Sequence, residues 1–421
     1  MPDSSGATVL DDLPESILVA EVLVRLPSKG VLRCRAVRKS WRHVTSTNDF
    51  MLAHHRRQPA LPLINIYQEN PNCLGKGAVD DSFVAFRVGD RKLWPVLRTF
   101  PTTNWPKVEA ACDGFLLVSN TNAGEDDFYI CNPATRQCAP LPQLPPRCFF
   151  DSLETSITGF YQHHPSGEYR VLYSNETRSN HVSRLHYYIL TVGSNEPRCI
   201  YEGEFFGKSS ESVYEALLRG MPSSCYAPVL HRGSLHWEVG RYHNAITDII
   251  VFDTVAETFR WMRRPASSGL QAWLLEMDGA LALSSIVDGV LLDFSVMQDY
   301  KSEVWAFKFR INLSEVVVAP PQPGSSSEYN YGRVAVVNDH ELLIQFPGRL
   351  IHCDVDGTFL GSVECQDAEY LGITSSFTGC LRNDVIRLTS HLLQESIFPL
   401  PSFVLREEDG VSKPHPFILA S

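Results

Sequence analysis

Several residue groups in the 421-residue sequence have types and spacings that bear on chemistry. Gly203-Glu204-Phe205-Phe206-Gly207-Lys208-Ser209 carries the glycines and the Lys-Ser end of a phosphate loop, whose backbone N–H groups cradle phosphates while the lysine neutralises them. It has three residues between the glycines where such a loop has four, and no strand-then-helix pattern surrounds it, so nucleotide binding is not expected. His231, His236 and His243 offer imidazoles, but spacings of five and seven match no common zinc pattern and no thiolate stands beside them. They read as structural histidines. His340-Glu341 lacks the second histidine of a zinc-hydrolase helix, and no G-x-S-x-G nucleophile elbow occurs. Glycoside cleavage needs two carboxylates facing each other across a pocket, and the 42 acidic residues after residue 60 keep that open as an alternative. The expectation is a chain with no catalytic residue, no metal and no cofactor.

A charge cluster is more informative. Arg25, Lys29, Arg33, Arg35, Arg38, Lys39 and Arg42 put seven cations in eighteen residues with no acid among them. Such a run is a solvated helix face, a nucleic-acid patch or the complement of an acidic protein surface. Trp41 is its one interleaved aromatic and the whole chain carries −11, so nucleic acid ranks last.

Helical elements must position this cluster. Pro14 suits a first helical turn, and Ile17, Leu18, Val22 and Leu26 recur at helical spacing up to a stop before Pro27. Ser28 is the expected N-cap of a second helix carrying Val31, Leu32 and Val37, with Gly30 costing it ~1 kcal/mol relative to Ala. Trp41 and Val44 supply a third. A segment of about 45 residues is at the lower edge of independent folding, so part of its apolar surface is expected to finish its burial against a partner.

The pattern changes near residue 60. Residues 1–60 carry +3 and the remainder −14, and from Leu61 onward apolar residues come in short runs such as Leu63-Ile64-Asn65-Ile66-Tyr67, Phe115-Leu116-Leu117-Val118 and Ile249-Ile250-Val251-Phe252. Asp113-Gly114, Arg232-Gly233, Asp278-Gly279, Asp288-Gly289 and Asp356-Gly357 punctuate them as turns. A degenerate repeat emerges of glycine turn, strand, loop, a second strand ending in Asn or Asp, and a strand leading to Pro. One copy is Asp113-Gly114-Phe115-Leu116, then Tyr129-Ile130-Cys131-Asn132-Pro133, then Leu141-Pro142. A second is Gly233 to Trp237, then Val251-Phe252-Asp253, then Trp261 to Pro265, and weaker copies contain Leu274 to Leu283 with Val304 to Phe309, and Ile351 to Asp354. The expected fold class is therefore α plus all-β: a short three-helix module before a large antiparallel β domain built as a β-propeller, with a β-sandwich as the alternative.

At 44% hydrophobic and 20% charged residues the chain has ordinary globular composition. The N-terminus lacks a secretory pattern and no apolar window spans a membrane, so a soluble intracellular protein without membrane contact is expected. Eleven cysteines without a C-x-x-C pair read as reduced, mostly buried thiols, and the sequons at Asn175 and Asn312 carry little weight.

Leu13-Pro14-Glu15, Arg25-Leu26-Pro27-Ser28-Lys29, Leu32-Arg33 and Val37-Arg38-Lys39-Ser40-Trp41-Arg42 resemble an F-box of the plant type. Cys112-Asp113-Gly114-Phe115-Leu116, Cys131-Asn132-Pro133-Ala134-Thr135, Gly159-Phe160 with Gly167-Glu168-Tyr169-Arg170-Val171, and Leu235-His236-Trp237 with Phe252-Asp253 and Met262 are similar to the kelch-like associated domain of plant F-box proteins. The interval from Leu13-Pro14 to Leu26-Pro27 is one residue longer than the common pattern, Gly30 replaces the usual Ser, and Arg38 replaces the usual Cys.

The resemblance implies a non-catalytic substrate receptor of an SCF-type cullin ubiquitin ligase, cytoplasmic or nuclear, whose F-box docks on a small acidic Skp-type adaptor and whose β domain recruits the target protein. A binding module no longer coupled to a ligase is the second reading. The adaptor-contact and F-box core residues are expected to be Leu13, Pro14, Ile17, Leu18, Val22, Leu26, Pro27, Val31, Leu32, Val37 and Trp41, of which Val22, Val37 and Trp41 are the first candidates for internal packing alone. The expected division is a tail at 1–12, the F-box at 13–57, the β domain at 60–403 and a second tail at 404–421. Recognition is expected on loops gathered at one rim: Asn120–Asp127, Gly203–Ser224 and Ala319–Tyr331.

Overall fold

The computed structural model describes residues 14, 17–69, 78–89, 91–99, 105–122, 125–142, 144, 152–179, 182–206, 227–238, 248–266, 268, 271–316, 332–346, 349–364, 384–400 and 417–419. The chain opens with helix that is not regular: Leu18–Val22 is a π-helical turn and Leu23–Arg25 a 3-10 turn. The Leu23 N–H reaches the Leu18 carbonyl, one residue beyond α-helical spacing. A π turn takes in one extra residue without breaking the helix. The long interval before Pro27 is absorbed this way, and Leu18, Leu23 and Val24 are all buried.

Helix α1 (Ser28–Val37) begins one residue earlier than expected. Pro27 is its N-cap, extended in ψ, with its carbonyl accepting from Gly30 and Val31, so Ser28 is the first helical residue rather than the cap. Helix α2 (Lys39–Thr45) carries Trp41, and α3 (Asn48–His55), not foreseen, is capped by Thr47 Oγ1 accepting from the Phe50 N–H at 3.3 Å.

Six antiparallel sheets follow, five of four strands and one, the first blade, of five, and they form a six-bladed β-propeller. In chain order the first blade takes β1 (Ala60–Glu69), β2 (Ala78–Arg87) and β3 (Lys92–Thr99). The second has β4 (Trp105–Cys112), β5 (Phe115–Asn122), β6 (Glu125–Asn132) and β7 (Gln137–Pro140); the third β8 (Ser152–His163), β9 (Glu168–Ser179), β10 (Val182–Thr191) and β11 (Arg198–Phe206). The fourth has β12 (Val229–His231), β13 (Ser234–Trp237), β14 (Ile249–Asp253) and β15 (Thr258–Met262). The fifth has β16 (Gln271–Met277), β17 (Ala280–Val287), β18 (Leu291–Asp299) and β19 (Val304–Asn312), after which comes the short α4 (Leu313–Val316). The sixth has β20 (Val334–Asn338), β21 (Glu341–Phe346), β22 (Arg349–Asp354) and β23 (Phe359–Glu364).

Closure joins the two ends of the chain. Strand β24 (Asp384–Gln394) is the innermost strand of the first blade and pairs with β1 in a register that sets Ile64 against Leu388. Strand β25 (Phe417–Leu419) then adds to the outer edge of β3, so the stretch 404–421 does not end as a separate tail but returns a strand to the first blade. Beyond β24, Glu395–Leu400 runs as a strap beneath the ring.

Local chemistry explains the blades. Asp113-Gly114, Arg232-Gly233 and Asp278-Gly279 hold both residues at positive φ, the two-residue hairpin geometry that matches strand twist. Each joins the first and second strands of a blade. The third strand ends in an Asx cap in four blades: Asn132, Asp253, Asp299 and Asp354 accept through Oδ1 from N–H groups two to four residues on. That fixes the phase of the repeat and corrects one copy. Leu274–Leu283 covers the first two strands of the fifth blade, and its capped third strand is β18, not Val304–Phe309.

Blades pack face to face through apolar clusters. In one, Tyr161, Leu172 and Tyr187 of the third blade meet Leu235, Trp237 and Phe252 of the fourth. Trp237 is buried and its indole N–H donates to the Thr158 carbonyl at 3.0 Å, which accounts for the Leu-His-Trp block. Because strands alternate direction, connections between first and second or third and fourth strands emerge at one rim, and all others at the opposite rim. The rim with the Asp113-Gly114, Arg232-Gly233 and Asp278-Gly279 turns also receives the helical module, which enters β1 there; we call it the lower rim.

Candidate functional site

The helical module has a small core of its own, made of Leu18, Leu23, Val24, Val31, Phe50 and Met51, and it is completed by Ile397 from the strap. Leu26, Leu32, Cys34, Trp41 and Phe398 pack against it half-buried. The sequence-expected residues therefore divide. Leu18 and Val31 are interior, Leu26, Leu32 and Trp41 are half-buried, and Pro14, Ile17, Val22, Pro27 and Val37 are exposed. Val22 and Val37 are 37% and 72% exposed, so internal packing alone does not account for them. Leu13 lies outside the described residues.

The basic run is partly spent within the module. Arg35 donates to the carbonyl and Oγ1 of Thr45 at 2.6 and 3.2 Å, tying α1 to the end of α2. Arg25 pairs with Glu21 at 2.6 Å, and Arg38 lies 5.3 Å from the Trp41 ring centroid as a cation–π contact. Lys29, Arg33, Lys39 and Arg42 stand exposed. Gly30 sits so close to Leu26 that an added Cβ would lie 3.3 Å from the Leu26 Cβ, which gives the departure from Ser a local steric basis. Three buried polar atoms of the module, Ser28 Oγ, the Trp41 indole nitrogen and His54 Nδ1, have no hydrogen-bond partner.

Sequence reasoning did not single out the mooring beneath this module. His55, at the end of α3, points its Nδ1 at the Glu395 carbonyl at 3.0 Å and its Nε2 at the Asp113 carboxylate at 3.7 Å. Asp113 also accepts from the Tyr169 hydroxyl at 3.1 Å. Burial alone would lower the His55 pKa, but the Asp113 carboxylate and Glu395 carbonyl outweigh it and hold His55 above its ordinary value. Burial would likewise raise Asp113, and the hydrogen bonds and charge of His55 with the Tyr169 hydroxyl hold it below its ordinary value. Gln394 donates to the carbonyls of His55 and Gln58, both at 2.9 Å, and Asn132 donates to the strap carbonyls of Ser396 and Phe398 at 3.1 and 2.8 Å. Gly114, at φ +80°, admits the strap: a Cβ there would lie 2.4 Å from the Ser396 Cβ. The adjacent His54-His55 pair was the available signal, but its partners stand at 113 and 395.

A channel of about 300 Å³ runs between the inner strands β4, β8, β12, β16, β20 and β24. Its lining is mainly apolar, with Glu276, Arg333, Thr389 and His391 among the polar groups. Burial pushes His391 down to about 4 and raises Glu276. The remaining sequence candidates are structural: His236 bonds the Val229 carbonyl and the Tyr300 hydroxyl at 3.2 and 2.8 Å, and Gly203–Phe206 lies in strand β11. His243 and 207–209 lie outside the described residues. No group of metal-ligating side chains assembles among the described residues, and no described helix is long and apolar enough to cross a membrane.

Of the three loops expected to recognise a target, Asn120–Asp127 is mostly a hairpin, with only 123–124 between β5 and β6. Residues 207–224 and 319–331 lie outside the described residues. The strand ends that bound all three nevertheless open on the upper rim, opposite the helical module, because they join a second to a third strand or a fourth strand to the next blade.

Comparison with known proteins accords with this architecture. Residues 96–344 match the F-box associated beta propeller domain family. Two F-box proteins of Arabidopsis thaliana are 27% and 26% identical over 69% and 72% of this chain, covering 69% and 73% of their own lengths. The F-box protein CPR1 of the same plant is 24% identical over 86% of this chain and 88% of its own. With a helical module moored under a six-bladed ring and the family's domain across more than half its length, the chain belongs to the plant F-box proteins that carry an F-box associated β-propeller.

Proposed function

We propose that this protein is the substrate-recognition subunit of an SCF-type cullin ubiquitin ligase, its helical module holding a Skp-type adaptor and its propeller recruiting a target protein. The observation that carries the reading is the opposition of the two rims. Exposed Ile17, Val22, Pro27 and Val37, with basic neighbours, lie on a module fixed to the lower rim, whereas the long connections leave from the upper rim. Basic side chains beside apolar ones suit an acidic adaptor, adding orientation and encounter rate to apolar burial. Catalysis in such an assembly is proximity: the receptor holds a target lysine near a ubiquitin-charged enzyme and raises its effective concentration.

The test is binding of the full-length chain to a purified Skp-type adaptor. The wild-type chain is expected to bind, and the double variant Ile17→Ala/Val22→Ala to lose about tenfold or more in affinity with unchanged thermal stability. A wild-type chain that fails to bind the adaptor yet captures a target would overturn the ligase role in favour of an uncoupled binding module. The π turn and Arg38, both at the edge of this surface, favour keeping that second reading in the experiment.

A further inference from the structure

We propose that Cys131 and Cys138 form a redox site, closing under a hydroperoxide into a cross-strand disulfide that staples the hairpin gripping the strap. This goes beyond the receptor reading and does not depend on it. Cys131 in β6 and Cys138 in β7 stand directly opposite in the ladder, and their Sγ atoms are 2.7 Å apart. Opposed antiparallel residues have Cα separations of about 4.5–5.5 Å, inside the range a disulfide needs, so the bond can form without moving the backbone. Closing from 2.7 Å to a bond of about 2.05 Å is a side-chain adjustment of well under 1 Å. Both are free thiols, and no other two described cysteines bring their sulfurs together.

The two sulfurs differ in access. Cys131 is fully buried against the first blade, while Cys138 is half-buried at the outer strand and meets solvent first. The Cys138 sulfur attacks the peroxide, forming an S–O bond as the O–O bond breaks and water leaves. The Cys131 sulfur then attacks that sulfenic sulfur: the S–S bond forms, the S–O bond breaks, and the departing hydroxide leaves as water with the Cys131 proton. Two thiols and one hydrogen peroxide thus give one disulfide and two waters, the sulfurs surrendering two electrons to the peroxide.

Placement gives the bond a consequence. The next pair in the ladder is Asn132 with Gln137, and both hold the strap, Asn132 through two carbonyls and Gln137 Oε1 by accepting from the Leu400 N–H at 3.1 Å. The strap's Ile397 completes the core of the helical module. A disulfide one step inward from the grip limits the opening of this hairpin and so the release of the strap.

Arg136 lies between the two cysteines, so trypsin separates them unless sulfur joins them. Full-length protein treated with hydrogen peroxide, alkylated and digested is expected to give a Cys131–Cys138 linked peptide by tandem mass spectrometry, lost on adding dithiothreitol. Amide exchange at Ile397 and Phe398 is expected to slow about threefold or more in the oxidised protein. The linkage is read on the wild-type chain, so no variant need fold. Cys138 recovered as sulfinic acid without linkage, Cys138 joined to another cysteine, or no linkage when exposed Cys199 is already oxidised would each overturn the proposal.

Discussion

The two rims of the propeller differ in how their connections are built. At the lower rim consecutive strands are joined by two to six residues, many of them Asp-Gly or Asx-capped turns. At the upper rim the connections reach 22 residues, between β11 and β12. The lower rim is also knitted across blades: Glu257, in the turn after β14, takes the Tyr161 hydroxyl at 3.0 Å and pairs with Arg170 and Arg198 of the third blade. One chain thus carries a rim fixed by sterics and hydrogen bonds and a rim left open to variation in length. Rigidity belongs where a second module must be held at a set angle, and tolerance where partners differ.

The sharpest way to break this contrast is at a glycine. Gly114→Ala forces a Cβ into the strap at positive φ and is expected to cost about 3 kcal/mol or more. Gly233→Ala, in an equivalent turn with nothing within 4 Å, is expected to cost only about 1 kcal/mol. Urea unfolding of both variants compares them, and equal losses would show that the strap contributes nothing to the first.

A smaller effect is expected at the charged mooring. Asp113→Asn leaves His55 and Tyr169 in place, removes the charge between them, and is expected to cost about 1–3 kcal/mol near neutral pH. Asp113 is depressed, so its contribution is present above its unfolded pKa and lost as pH falls through the folded one; His55 is raised, so its contribution is full below its unfolded pKa and lost as pH rises through the folded one. The mooring is therefore tightest between about pH 4 and 6.5, and the variant should flatten the fall in unfolding free energy on either side of that window. An unchanged pH profile would remove this pair from the mooring.

The smallest effect is expected at the upper rim. Three Gly-Ser-type residues inserted between Val316 and Gly332 should cost under about 0.5 kcal/mol, since closure entropy grows slowly with loop length. The same insertion in Asp278-Gly279 breaks a hairpin turn and should cost several times more. Melting temperatures of the two insertions decide whether the rims really differ.

Much of this architecture is written locally. Asp-Gly turns and Asx-capped third strands mark blades two, four, five and six, and the propeller follows from their spacing. The first blade escapes that logic because its inner strand lies more than 300 residues from its neighbour, Ile64 facing Leu388, and β2 ends at Arg87, where blades two, four, five and six carry Asn or Asp. Blade number is hidden for the same reason. In the helical module Leu18 and Val31 were legible as interior, but Leu23, Val24, Phe50 and Met51 were not singled out, and Val22 at the end of the π turn is exposed where α-helical spacing would pack it. The mooring was invisible because His55, Asp113 and Glu395 meet only after the ring has closed.

Ring closure by strand β24 also sets an order of events during synthesis. The helical module leaves the ribosome before the propeller, yet Ile397, which completes its core, is made more than 300 residues later. At about 5–20 residues per second that interval is on the order of 15 to 70 s, during which the module has no strap and the first blade no inner strand. A chain interrupted anywhere before Asp384 lacks both at once. Completion of the ring and completion of the helical module are therefore one event, and an unfinished chain cannot present the finished module that an assembled protein displays.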